Sequence, residues 1–115
     1  MQKLRVKICC INSIEEARLA IFYGASAIGL VGDMPSGPGI ISDNKIRQIA
    51  KTVPPMVSTF LLTSETKASE IINHYNKVNT STIQIVDSLD NRDYKKIRSK
   101  NGDSISICCL EKIEA

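Results

Sequence analysis

The chain has no tryptophan, two phenylalanines and three tyrosines, so aromatic residues make up only 4% of it. Little is therefore available to stack on nucleobases, and the 15 Lys+Arg against 12 Asp+Glu are spread without a basic block. A nucleic-acid partner is not expected. No apolar run approaches the ~18 residues of a membrane-spanning helix. The start, "MQKLRVKICC", leads into a charged strand rather than an apolar signal core. The expectation is a cytoplasmic protein with no membrane partner. The cysteines lack metal-ligand spacing: all four come as vicinal pairs, Cys9-Cys10 and Cys108-Cys109. Zinc sites need a gap of about two residues or more, and neighbours in a strand face opposite ways. Reduced thiols and no metal follow. The one histidine, His74 in "INHYN", sits inside a helical pattern and is expected at the surface.

The glycine- and proline-rich stretch "GDMPSGPG" also lacks something. Gly32 and Gly37 have the spacing of a phosphate loop, but Pro38-Gly39 stand where Lys-Ser/Thr would have to follow. It reads as a loop at the rim of a site, with Asp33 and Ser36 as weak substrate-contact candidates.

What is present is regular alternation. Over 115 residues, enough for one core and read as a single domain (1–115), strand and helix patterns follow each other with short connections. Residues 3–9, "KLRVKIC", place Leu4, Val6 and Ile8 on one face and Lys3, Arg5, Lys7 and Cys9 on the other. Ser13 with Glu16 three residues later forms a capping box. Ile14, Ala17, Leu19, Ala20 and Ile21 are the expected buried stripe of the helix, which Gly24 ends. Residues 26–31 are a second strand. Ser42 caps a second helix carrying Ile46 and Ile49, stopped by Pro54-Pro55. Residues 56–62 are a third strand. Ser64 is the expected cap of a third helix with Ile71, Ile72 and Tyr75 facing inward. Residues 81–86, 91–100 and 104–109 complete the series as strand, helix and strand, and "LEKIEA" begins a further loop or helix.

The β-α-β-α-β-α-β-α-β order implies parallel strands joined by right-handed crossovers. Central strands of a doubly wound sheet are apolar on both faces. Here three strands carry one polar row: Arg5/Lys7/Cys9, Thr82/Gln84/Val86 and Ser104/Ser106/Cys108. Apolar rows turned out to helices and polar rows turned in to a lumen favour an α/β fold of the partial (β/α)8 TIM barrel type. About four and a half βα units are present, whereas a closed barrel takes about 250 residues. The open doubly wound sheet is the competing architecture.

"VKICCINSIEEARLAIFYGASAIGLV" resembles the opening of the phosphoribosylanthranilate isomerase family, whose first strand reads V-K-I-C-G-I-T and whose next segment reads A-G-A-D-A-(I/L)-G. "KIRQIAKTVPP" and "TIQIVD" fall where that family has R-x-I-A-…-L-P-P and V-Q-L-H-G. The resemblance runs the length of the chain and covers about half of the family's barrel. It implies an Amadori rearrangement in tryptophan biosynthesis, acting on N-(5-phosphoribosyl)anthranilate, without cofactor or metal. It also implies that Cys9 is the general base. The residues agree: Cys9 has the polar parity, at the strand end where barrel sites lie, and a thiol of reference pKa near ~8.5 two residues from Lys7 suits a base. Lys7, Asp33, Ser36 and Gln84 are the weaker substrate-contact candidates. Cys10, where the family has glycine, is expected to pack against a helix.

The departures are specific. Gly39 stands at the family's substrate-holding arginine, and Val86 at the histidine of Q-L-H-G. The resemblance puts the general acid on a later strand and the phosphate loops later still, beyond Ala115, so the chain unaided is not expected to catalyse the full reaction. Two other functions stay open: a catalytically incomplete barrel or pseudoenzyme that self-associates through open sheet edges, and a divergent sugar-phosphate isomerase or lyase.

Overall fold

A computed structural model describes residues 5–86, 89–100 and 106–109. The elements are β1 (Lys7–Ile8), α1 (Ile14–Phe22), β2 (Ala27–Val31), α2 (Asp43–Thr52), β3 (Ser58–Thr63), α3 (Ala68–Val78), β4 (Thr82–Ile85), α4 (Asn91–Lys100) and β5 (Ser106–Cys109). All strand pairs are parallel, and the sheet order β1-β2-β3-β4-β5 is the order in the chain. A doubly wound sheet reverses direction at a switch point. No reversal occurs among the described strands, and the order is that of a barrel wall.

Two apolar clusters hold the helices to the outer face of this wall. Ile28, Leu30 and Leu61 pack with Ala17, Ala20, Ile46 and Ile49 under α1 and α2. Ile83 and Ile85 pack with Ile71, Ile72 and Ile97 under α3 and α4. Each of the leucine and isoleucine side chains, taken fully out of water, contributes about 1.5–3 kcal/mol. Of the outward rows expected from alternation, Ile83 and Ile85 of β4 are in these clusters.

The local signals mostly act as written. Ser13 Oγ accepts from Glu16 N–H, and the Glu16 carboxylate returns a bond to Asn12 N–H. Ser42 Oγ accepts from Lys45 N–H at the head of α2.

Four expectations need correction. Leu19 is 59% exposed, because it lies about 200° around the helix from buried Ala17 at 100° per residue. Ser64 does not cap α3; the N-cap is Lys67. The Thr63 hydroxyl instead takes Glu65 N–H, which holds the chain in a turn before buried Ala68 starts the helix. Val6 and Ile8 are 41% and 39% exposed, since β1 is an edge strand whose outer row is only partly covered. Leu4 and the "LEKIEA" segment lie outside the described residues. His74, expected at the surface, has a side chain only 10% exposed.

Candidate functional site in the concave face

The inner face of the wall follows from the register. Lys7 pairs with Ala27, Gly29 with Phe60, Phe60 with Thr82, and Gln84 with Leu62 and Cys108. In parallel strands registered residues share a face, so Lys7, Gly29, Phe60, Leu62, Thr82 and Gln84 line one surface opposite the helix layer.

Lys7 reports the curvature of that surface. Its ammonium donates to Gln84 Oε1, although β1 and β4 are three strand spacings apart. In a flat sheet that gap is about 14 Å, beyond the combined reach of the two side chains. The wall must curl toward itself, as a barrel does. The ammonium also sits 4.4 Å from the centroid of the Phe60 ring. Gln84 is buried at 4% exposure, and Lys7 supplies the hydrogen bond that its burial requires. Lys7 is therefore directed at Gln84 and Phe60.

Cys9 lies just past β1 with an exposed thiol. Its Sγ would be 3.0 Å from a Cβ at Gly29, which places it over the inner row of β2. Cys9, Lys7 and Gln84 thus come together on one face. Asp33 and Ser36 are exposed on the β2–α2 loop.

Cys10 departs from its expected place. Its backbone is left-handed, φ 60°, so strand parity ends there. It packs against the β2–α2 loop rather than a helix: its S–H donates to Pro38 O at 3.7 Å, and a Cβ at Gly39 would lie 2.7 Å from Cys10 Cβ. Gly39 has φ +80°, where side chains are strained in any case.

A second, polar cleft of about 310 Å³ opens beside α2 and α3, lined by Asp33, Asp43, Glu65, Glu70, Asn73, His74 and Lys77. A hydrogen bond with Glu70 holds the Glu65 carboxyl above the usual carboxylate range. Burial and the charges of Glu70 and Asp33 add to this, and His74 opposes it. Burial likewise raises the Tyr75 phenol. His74, which the sequence reading left out of any site, lines this cleft. Its partners Asp43 and Thr63 lie 31 and 11 residues away, so no local pattern points to it. Among the described residues no three His, Cys, Asp or Glu side chains are grouped to hold a metal. No helix among them is long and apolar enough to cross a membrane.

Comparison with known proteins follows the same lines. No family profile matches the chain. The N-(5'-phosphoribosyl)anthranilate isomerase of Nitratiruptor sp. is 32% identical over 113 residues, covering 96% of this chain and 56% of that protein. A phosphoribosyl anthranilate isomerase crystallised with reduced 1-(o-carboxyphenylamino)-1-deoxyribulose 5-phosphate superposes at TM-score 0.81 and 25% identity, covering 93% of this chain and 53% of that one. The Thermus thermophilus enzyme of the same name shares the fold at TM-score 0.85 and 21% identity, covering 97% of this chain and 54% of that one. The chain spans about half the length, or less, of the curated relatives it matches.

Proposed function

We propose that this relative of the phosphoribosylanthranilate isomerases, a partial (β/α)8 barrel, supplies the first half of an isomerase site. The reaction is the Amadori rearrangement of N-(5-phosphoribosyl)anthranilate to the aminoketose. The observation that carries the reading is the exposed Cys9 thiol at the C-terminal end of β1, over the inner face shared by Lys7 and Gln84.

The chemistry assigns one step to this chain. Protonation of the ribose ring oxygen by an acid opens the ring to a Schiff base. The Cys9 thiolate then removes the proton from the sugar C2. The electron pair of that C–H bond moves into the C1–C2 bond, and the C=N pair goes to nitrogen. The resulting enol tautomerises to the ketone, so atoms and electrons balance without an added oxidant. Lys7, pinned by Gln84 and Phe60, adds a fixed positive charge beneath the site. Asp33 and Ser36 stand on the rim loop as weaker contacts. The acid and the phosphate grip correspond to later barrel units, so turnover requires those units. The open edges at β1 and β5 invite pairing, by further units or by a second copy. The cytoplasm is the proposed place of action.

The test is an isomerase assay on this chain joined to the remaining barrel units of a related isomerase. Cys9→Ser should reduce kcat by about 100-fold or more, the scale of a lost general base. Activity equal to the parent in Cys9→Ser would sink the assignment. Gly39 and Val86 favour a second reading, a divergent sugar-phosphate substrate. It gains if the joined protein folds and Cys9 is needed for another aldose phosphate but not for this one.

A further inference from the structure

His74 sits at the centre of a directional set of hydrogen bonds. Its Nε2 lies 2.7 Å from Asp43 Oδ1, and its Nδ1 lies 3.4 Å from Thr63 Oγ1, which in turn accepts Glu65 N–H at 3.2 Å. An ionised carboxylate can only accept, so Nε2 carries a proton and donates to Asp43. The Thr63 hydroxyl then donates to Nδ1. With a neutral imidazole the relay runs Glu65 N–H to Thr63, Thr63 to His74, His74 to Asp43, and every member is satisfied. Thr63 is fully buried, so this Asp-His-Thr set is a brace and not a hydrolytic triad.

The brace meets both ends of one loop. At the entry, Gly32 is so close that a Cβ there would lie 2.6 Å from His74 Cε1. At the exit, Asp43 is the first residue of α2. Between them the loop base is closed by Gly32 N–H to Leu62 O and Ile41 N–H to Val31 O, both 3.0 Å. The far side of the same loop, Pro38 and Gly39, rests on Cys10, next to Cys9. The loop is clamped between His74 on one side and the end of β1 on the other.

We infer that His74 is a positioning residue for the Cys9 site, holding the β2–α2 loop against Cys10 from behind. The inference rests on reading the Cys9 face as the site, but its readouts are loop exchange and thiol reactivity, not turnover.

The experiment uses the chain itself. Cys10 alkylation by iodoacetamide is followed by peptide mapping, and backbone hydrogen exchange is followed at Gly32, Ile41, Ile83 and Ile85. His74→Phe keeps a ring and removes both nitrogens. Asp43→Ala removes the acceptor from a side chain that is 40% exposed and so threatens folding less. Asp43→Asn keeps an acceptor oxygen. Both disruptive variants should raise the Cys10 alkylation rate at least fivefold and exchange at Gly32 and Ile41 at least tenfold. Ile83 and Ile85 should stay within twofold, and Asp43→Asn should stay near the parent. The inference is overturned if Cys10 alkylation stays within twofold in Asp43→Ala, or if all four amides accelerate together, the mark of general destabilisation. An isomerase assay on the chain joined to the remaining barrel units that fails while the loop responds removes the proposed activity and leaves the brace. Activity with an unresponsive loop does the reverse.

Discussion

The contact between Gly39 and Cys10 leaves room for a side chain on one of the two residues only, and that can be measured. Gly39 has φ +80°, and an added Cβ would lie 2.7 Å from Cys10 Cβ and 3.0 Å from its Cα and Sγ. Two costs therefore add for Gly39→Ala. The left-handed backbone costs about 1–2 kcal/mol for a residue with a Cβ. Forcing a methyl group into an occupied place costs about 1–3 kcal/mol more. The substitution should destabilise the chain by about 2–5 kcal/mol in total. Cys10 itself carries a side chain at φ 60°. Cys10→Gly relieves that strain and gives back about 0.4–1 kcal/mol through the greater freedom of the unfolded chain, so alone it should be nearly neutral. In the Cys10→Gly background the contacts with Cβ and Sγ are gone, and what remains of the cost of Gly39→Ala is the backbone term and the 3.0 Å approach to the Cα of residue 10. The coupling between the two changes is thus at most about 1–3 kcal/mol. Urea unfolding of the parent, both single variants and the double variant gives the number, provided the slope with denaturant is shared. Equal costs for Gly39→Ala in both backgrounds, within about 0.5 kcal/mol, would refute the reasoning. The resemblance gives the same pair a second meaning: the family's glycine and arginine stand where this chain has Cys10 and Gly39. A Gly39→Arg variant should be tolerated only together with Cys10→Gly.

Two further outcomes follow. Lys7→Met strips buried Gln84 of its partner and should cost about 1–3 kcal/mol, while Lys7→Met with Gln84→Leu should cost less than the sum of the single changes; strict additivity in denaturant titrations would show that the bond across the concave face contributes nothing. The carboxyl of Glu65 has a raised folded-state pKa, so its favourable contribution is present below the unfolded value near 4.5 and is lost as pH rises through the folded value. Glu65→Gln should therefore raise the melting temperature slightly at pH 7 and leave it unchanged near pH 4, and an equal shift at both pH values would be inconsistent with that sign.

The wall was readable because its information is local. Alternation in "KLRVKIC" and "STIQIV" reports which residues share a face, whatever the strand pairs with. Ser13 and Ser42 cap their helices through bonds that span three residues. The failures mark where local signals stop. Ser64 has the right residue type for a cap, but the neighbouring Thr63 hydroxyl takes the amide that would have started the helix one turn earlier. Cys10 could not be placed by parity because the backbone turns left-handed at that residue. His74 was legible only as one residue of a helix; its burial comes from the absence of a side chain on Gly32 and from partners on two other elements. On the candidate site, the sequence placed Lys7, Cys9 and Gln84 on one face. It could not show that Lys7 reaches across three strands, since that depends on how far the sheet curls.

The order of strands in the sheet also bears on how the wall is assembled. Each described strand pairs with the next described strand in the chain, so among them no contact between neighbours waits for a distant segment. Each unit can dock on the one before it as soon as its own strand and helix exist, and the partners to be joined are 20 to 31 residues apart at every step. Loop-closure entropy is then met in similar small steps, and folding by accretion along the chain is favoured over a single late collapse. The relative order of protection from exchange across β1 to β5 in a refolding time course would record that direction.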